Sequence, residues 1–270
     1  MINKLISFKH FPTITGLGRV FYPIWKRSTL KFFIIFLYKI ALKNVKIVSF
    51  QNNDDQSYFQ NLGLTQRKNS KVINGSGVDT KIFKFDSEGY KKTNFLMIGR
   101  LLNQKGIKLF LKNAEKIKKK YPKYTFTLIG KKEEGPDKIS FNEIKYYIDN
   151  KIINYISETN DVIKFYNECK VFILPSYYRE GMPKTMIEAM SIGRPVIVSD
   201  IPGPKDIIEN KIHGILLDLN DLNSLEKAIK YFINISEIDY KRISKNCRST
   251  AESYFDISII NAIYKSYLNS

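Results

Sequence analysis

The stretch VFILPSYYREGMPKTMIEAMSIGRPVIVSD, Val171 to Asp200, holds the fold in miniature. An apolar run (VFILPS) leads into a tight loop. A helix-like run (MPKTMIEAMSIG) follows, and then a second apolar run (PVIVSD). Strand, loop, helix and strand form the repeating unit of a doubly wound parallel sheet. Within this unit, EGMPKTMIE carries two carboxylates, Glu180 on the loop and Glu188 inside the helix. Parallel α/β sheets bind ligands outside the carboxyl ends of their strands. A helix that starts there offers unpaired N–H groups and a positive dipole end to an anion. Pro183 suits the first helical turn, where no N–H is missed. Anion donors beside two acidic side chains predict a ligand with both phosphates and sugar hydroxyls. Two glutamates at this spacing also occur on solvated helices, so the neighbouring residues must decide.

A second anion site is predicted upstream. NFLMIGRLLNQKGIKLFLKNAEKI, Asn94 to Ile117, reads as a buried strand, a turn and an amphipathic helix. Gly99 and Arg100 sit at the strand's end, and Lys105 and Gly106 precede the helix. Glycine permits close backbone approach. Arginine grips phosphate oxygens bidentately, whereas lysine acts as a point charge. A chain this basic places arginine and lysine in many loops, so chemistry alone leaves this assignment open.

The segment LPSYYREGMPKTMIEAMSIGRPVIVSDIPGPKDIIENKIHGIL, Leu174 to Leu216, resembles the donor-binding half of family-4 glycosyltransferases, which are retaining enzymes of the GT-B fold. The shared pattern is E-x7-E after an LPS-type strand end, then a G-x-PVI strand, a PG turn and a short helix. The resemblance is dense over residues 94–255 and weaker over 13–93. It implies a diphosphate held by the GR and KG pair, that is, by Gly99, Arg100 and Lys105. Glu188 would bind the ribose hydroxyls, and Glu180 would sit against the transferred sugar. The backbone of Gly181, Met182 and Pro183 would line the sugar pocket, with Lys184 and Thr185 of the new helix completing the donor site. Glu180, Arg100 and Lys105 are the implied catalytic residues.

Composition bounds the partners. The 270 residues suffice for two α/β domains, and 43% hydrophobic content supports real cores. The net charge of +18 predicts an anionic partner. Residues 1–53 hold nine Lys or Arg and no Asp or Glu. The same block carries Phe8, Phe11, Phe21, Tyr22, Trp25, Phe32, Phe33, Phe36 and Tyr38. Basic plus aromatic content suits the face of an anionic bilayer, and it also suits single-stranded nucleic acid. No nucleic-acid motif is present, so the membrane is the expected partner. Cys169 and Cys247 lack metal spacing and fit a reduced compartment. Cys169 leads into a buried strand as a small core residue. There is no signal-peptide pattern, and the longest apolar run, FFIIFLY, is too short to span a bilayer. His213, in a turn entering a strand, reads as structural, and His10 is not placed.

Along the chain, FPTIT (residues 11–15) reads as a strand before the turn GLG, and residues 24–43 as a helix. On a helical wheel Arg27, Lys31, Lys39, Lys43 and, at or past the helix end, Lys46 share one half, while Phe33, Ile34, Leu37 and Ile40 fall mostly on the other. The helix is therefore either core-facing with a solvated basic side or membrane-facing. VKIVSF is a strand, DDQSYFQNLG a short helix C-capped by Gly63, and KVINGSGVD a strand running into a Gly-rich turn. Residues 79–93 read as an interdomain linker. From residue 94 the predicted strands are FLMIG, TFTLIG, IINYIS, VFILPS, PVIVSD and GILLDL. The intervening helices lie near 105–120, 141–150, 160–169, 183–192, 204–210 and 221–233. ISIINAIYKSYL, in 251–270, resembles the last GT-B helix, which crosses back to the first domain.

The expected architecture is α/β and GT-B. It has a partial acceptor-side domain (1–78), a linker (79–93), a nucleotide-sugar domain (94–250) and the returning helix (251–270). A Rossmann-like acceptor domain needs about 100–150 residues, so the first domain reads as incomplete. Many relatives place a histidine in the loop after the strand matched by FPTIT. This chain has Thr15 and Gly16 there, and TGLG resembles relatives that extend lipid-diphosphate-linked glycans. The expected activity is transfer of a sugar from a UDP-sugar to a polyprenyl-diphosphate-linked glycan in bacterial cell-envelope synthesis. It would take place on the cytoplasmic face of the membrane. No Asp-rich metal motif occurs, so neither a metal nor another cofactor is expected. Two alternatives stand: a non-catalytic nucleotide-sugar-binding remnant or half of a split enzyme, and a basic membrane or nucleic-acid adaptor.

Overall fold

The computed structural model describes residues 11–17, 21, 29–177 and 179–268. His10 and the stretch 24–28 assigned to the first helix lie outside the described residues. Two parallel sheets organise the chain. The first has three strands in the order β1-β2-β3: β1 (Thr13–Ile14), β2 (Val48–Phe50) and β3 (Ser70–Val72). Between them run α1 (Thr29–Leu42) and α2 (Asn53–Asn61). Asn52 caps α2 by accepting from the Asp55 N–H at 2.8 Å. Gly63, one residue past the cap, takes a left-handed φ of 65°.

The second sheet has six strands in the order β6-β5-β4-β7-β8-β9. They are β4 (Asn94–Ile98), β5 (Thr125–Ile129), β6 (Asn154–Ile156), β7 (Cys169–Leu174), β8 (Val196–Ser199) and β9 (Gly214–Leu217). The helices are α3 (Ile107–Lys120), α4 (Phe141–Asp149), α5 (Val162–Glu168), α6 (Lys184–Ser191), α7 (Ser224–Asn234), α8 (Glu237–Thr250) and α9 (Ile257–Leu268). The helix predicted near 204–210 is one 3-10 turn, Pro204–Asp206. Strands β5 and β6 are added on one side of β4, and β7, β8 and β9 on the other. The apolar runs without alternation are explained by this, since a sheet covered on both faces buries every side chain. All six residues of β7 and all four of β8 are buried.

The sequence left helix α1 either core-facing or membrane-facing, with Phe33, Ile34, Leu37 and Ile40 mostly on one half. The structure divides that half. In the structure Ile34, Ile35 and Tyr38 pack on the first domain's core beside the buried Leu42. Phe33, Leu37 and Ile40 are exposed, together with Phe32 and Phe36. The helix is apolar almost all round, so periodicity could not single out its buried stripe.

Residues 79–93 cross between the sheets and are bound closely to the second one. Arg194, fully buried, donates to the Asp86 carbonyl at 2.8 Å and to its carboxylate. Lys170 donates to the Tyr90 carbonyl at 2.7 Å, and Arg248 to Phe83 at 2.8 Å. The returning segment pairs with the crossing. The Val78 N–H donates to Phe255 at 2.8 Å, and that of Ile257 to Val78 at 2.9 Å. On α9, Tyr264 and Tyr267 pack on Phe11 with ring centroids 5.5 Å apart in each case. Helix α9 thus reaches back to the first domain.

One backbone position fixes how α3 meets the sheet. Gly106 has a φ of 78°, and a Cβ there would stand 2.0 Å from the Pro175 carbonyl oxygen. Left-handed backbone alone costs an L-residue about 1–2 kcal/mol. Gly106→Ala is therefore expected to lower unfolding free energy by more than that in urea titration, whereas Gly135→Ala, with nothing within 4 Å of its added Cβ, loses only the strain term.

Candidate functional site

Strands β4 and β7 are neighbours, and the chain winds away from them in both directions. Their connections therefore leave toward opposite flanks, and a crevice opens where they part. The loop after β4 carries Gly99, Arg100 and Lys105, and the loop after β7 carries Glu180 to Pro183. The two loops meet: Lys105 Nζ lies 2.5 Å from Glu180 Oε1 across 75 positions of sequence. Ser176 Oγ donates to the same Oε1 at 3.0 Å. The partners' side chains are only 17% and 12% exposed, so the pair is partly withdrawn from water. The Tyr177 N–H donates to Gln104 O at 2.7 Å and ties the loops together.

Arg100 stands apart from this pair. Its side chain is 62% exposed, with Glu133 Oε1 at 3.7 Å. A Cβ added at Gly99 would meet nothing within 4 Å, so the protein's own packing does not demand glycine there. Helix α6 begins at Lys184, one residue later than the sequence placed it, with Pro183 at its N-cap. No side chain caps α6, and its first turn contains no acid. The same holds at the start of α3, whose N-cap is Gly106. Both helices thus begin at the crevice with their first-turn N–H groups lacking helical acceptors. Thr185 is half-buried in that first turn of α6, and Lys184 is exposed, its Nζ 3.9 Å from Glu188 Oε1.

Glu188 is buried inside α6. Its Oε2 accepts from the Tyr166 hydroxyl at 2.9 Å. Burial pushes its carboxyl pKa up, and the Tyr166 hydrogen bond and Lys184 only partly oppose that. Met182 is buried, and its N–H is donated to Gln51 Oε1 at 3.1 Å.

Sequence reasoning did not anticipate how the first domain closes on this loop. A Cβ at Gly181 would lie 2.0 Å from Thr15 O and 2.3 Å from Gln51 Oε1. Only a glycine allows so close an approach. Arg179 pairs with the fully buried Asp55 at 3.0 Å, and Asn52 Nδ2 donates to Glu180 O at 3.2 Å. Lys205 pairs with Asp54 at 3.1 Å. The signal available in sequence was the polar run Gln51 to Asp55, directly after an apolar strand. The loop after β7 therefore sits between the two sheets. His213, read as structural, is buried, with Nδ1 accepting from the Glu209 N–H at 3.3 Å and Nε2 3.0 Å from Thr250 Oγ1. Cys169 is buried and free, its thiol pushed up to about 12 by burial. Among the described residues no three or more His, Cys, Asp or Glu side chains group as a metal site.

Two parallel α/β sheets with a site in the crevice between them define a GT-B architecture. Sucrose-phosphate synthase from Thermosynechococcus elongatus superposes with a TM-score of 0.80 at 19% identity, over 99% of this chain and 70% of that one. HepE of Anabaena, in complex with UDP and glucose, superposes with a TM-score of 0.80 at 17% identity, over 99% and 73%. The chain belongs to the glycosyl transferases group 1 family, which matches residues 79–250. A Campylobacter jejuni relative, N,N'-diacetylbacillosaminyl-diphospho-undecaprenol alpha-1,3-N-acetylgalactosaminyltransferase, is 28% identical over 95% of this chain and 69% of its own length. The Escherichia coli UDP-Gal:alpha-D-GlcNAc-diphosphoundecaprenol alpha-1,3-galactosyltransferase is 29% identical over 86% of this chain. This chain spans 62% of the length of the E. coli enzyme.

A carboxyl whose pKa is raised by folding penalises the folded state while it is ionised. That penalty is present above the folded pKa and vanishes below the unfolded one, near 4.3. Glu188→Gln is therefore expected to raise the melting temperature at pH 8 and to have a smaller effect at pH 4, as read by thermal unfolding at both pH values.

Proposed function

We propose that this chain moves a sugar from a UDP-sugar to a polyprenyl-diphosphate-linked glycan, with retention of configuration. One observation carries the reading: Lys105 and Glu180 meet at the β4–β7 divergence, beside the uncapped starts of α3 and α6. A nucleotide diphosphate-sugar is the ligand that needs such a set. Its diphosphate would draw Lys105 away from Glu180 and recruit Arg100 from the surface. The first-turn N–H groups of Lys184 and Thr185 would complete the anion site, with Gly99 letting the phosphates approach the backbone. The freed Glu180 carboxylate would then accept from a sugar hydroxyl, and Glu188 from the ribose. As the glycosidic bond to the diphosphate breaks, negative charge grows on the leaving group. Cations and N–H dipoles already in place stabilise that charge more than the ground state, which is where rate is gained. Support for the donor comes from UDP bound in the similarly folded HepE. Support for the acceptor comes from the undecaprenol-diphosphate substrates named for the Campylobacter and E. coli relatives.

Binding without turnover is the second reading. It is favoured by Arg100, which stands apart from the Lys105–Glu180 pair with its side chain 62% exposed. UDP affinity with no transfer to a lipid-linked acceptor would select it. Under the enzymatic reading, calorimetry is expected to show UDP binding, weakened by about 1.5–3 kcal/mol in Arg100→Ala and in Lys105→Ala, the range for charge-assisted hydrogen bonds. Well-folded protein with no affinity for UDP would overturn the donor site.

A lipid-linked acceptor is presented at a membrane, and α1 suits that surface. Phe32, Phe33, Phe36, Leu37 and Ile40 are exposed on one face, and the exposed Lys39 and Lys43 border it. No acidic side chain occurs in residues 1–53 to oppose anionic lipid. Among the described residues no helix is long and apolar enough to cross a membrane, so α1 would lie in the interface. The chain would then work as a peripheral protein on the cytoplasmic face of a bacterial membrane. Binding to anionic vesicles is expected to fall steeply with salt, by about 1 kcal/mol for each lysine screened. Lys31, Lys39 and Lys43 changed to Glu should abolish it without altering UDP affinity. Tighter binding to single-stranded RNA than to vesicles would favour the adaptor alternative instead.

A further inference from the structure

Tyr166 lies on α5 and is fully buried. Its hydroxyl sits between two acceptors, Glu188 Oε2 at 2.9 Å and the Thr185 carbonyl at 3.0 Å. It therefore touches both the first turn of α6 and the carboxylate one turn further along. The other carboxylate oxygen, Glu188 Oε1, faces Lys184, on the exposed side of the helix start. One oxygen is thus anchored inward and the other is left for a ligand. Tyr166 is in turn held from behind. Its carbonyl accepts from Arg194 Nε at 2.8 Å, and Arg194 is bound to Asp86 in the crossing between the domains. Its ring packs against Phe83 and Phe172, with centroids 6.2 and 6.0 Å away. A buried tyrosine packed this firmly gives its hydroxyl little freedom to move. A buried carboxylate with three free torsions gains most from such a partner, because desolvation would otherwise favour protonating it.

We propose that Tyr166 is a positioning residue for nucleotide recognition: its hydroxyl fixes the Glu188 carboxylate so that Oε1 accepts from the ribose hydroxyls. This rests on the reading of Glu188 as the ribose carboxylate. Phenylalanine at 166 keeps the ring and its packing and removes the one hydroxyl. Glu188 is then free to rotate and harder to ionise. The loss should appear only for ligands that have ribose hydroxyls to donate.

The test measures UDP and its 2′,3′-dideoxy form by calorimetry on the full chain and on Tyr166→Phe and Glu188→Gln. In the parent, UDP binds more tightly than the dideoxy form, and in Glu188→Gln that ratio collapses. In Tyr166→Phe the UDP affinity falls by about five- to tenfold, the scale of one ordinary hydrogen bond, while the dideoxy affinity holds. Equal loss for both nucleotides would mark Tyr166 as a packing residue and overturn the proposal, as would an unchanged ratio. If Glu188→Gln itself leaves the ratio intact, the ribose reading fails, and that outcome is distinct from a failure of Tyr166 alone. Should Tyr166→Phe not fold, Glu188→Asp draws the carboxylate back from the hydroxyl with Tyr166 untouched. Retention of the full ratio there would equally overturn the proposal.

Discussion

The pairing of β4 with β7 is the constraint on which the rest depends. A parallel sheet must return each strand by a crossover, and the crossovers on the two sides of this pair run to opposite flanks. The loops that follow the two strands meet at the gap above them. Polar groups at that gap are thus close together yet reachable. Gly106 and Gly181 mark how tightly the surrounding backbone has been drawn in, the first against Pro175 and the second against Thr15. Their lack of a side chain is a steric requirement of the fold before it is anything else.

Charge is distributed around this gap in two ways. Lys105 and Glu180 neutralise each other where the loops after β4 and β7 meet. Deeper in, Glu188 has no cation among the described residues closer than Lys184 at 3.9 Å. It is sustained instead by Tyr166, which is backed by Arg194 and Asp86. A buried carboxylate without a close cation is costly.

The first domain contributes less core and more contact. Its three short strands support a loop, Gln51 to Asp55, that takes hold of the Arg179–Met182 segment at three residues, Arg179, Glu180 and Met182. The closed arrangement therefore depends on side chains from both sheets. Helix α1, on the same domain, leaves a broad apolar face uncovered. Exposed apolar area on that scale, edged by lysines, is characteristic of a surface that meets something else.

By itself the sequence determined the parallel sheet, the order of strands and helices from residue 94 onward, and the two loops that bear Arg100, Lys105 and Glu180. Those features are local: apolar runs, glycines and helix starts are set by neighbours in the chain. It also placed Glu188 in a helix, but not the hydroxyl that holds it. Tyr166 reads as one more aromatic in VIKFYNE, and only the packing of α5 against α6 turns it toward a carboxylate 22 residues away. The buried stripe of α1 escaped for the opposite reason, because its apolar residues spread over most of the helix surface beside the lysines and leave no narrow stripe to read. The grip of Asp55 on Arg179 and of Gln51 on Met182 joins positions more than a hundred residues apart, and no spacing along a chain encodes such a meeting. Tertiary structure decided these contacts, because they exist only once two separately formed sheets are brought face to face.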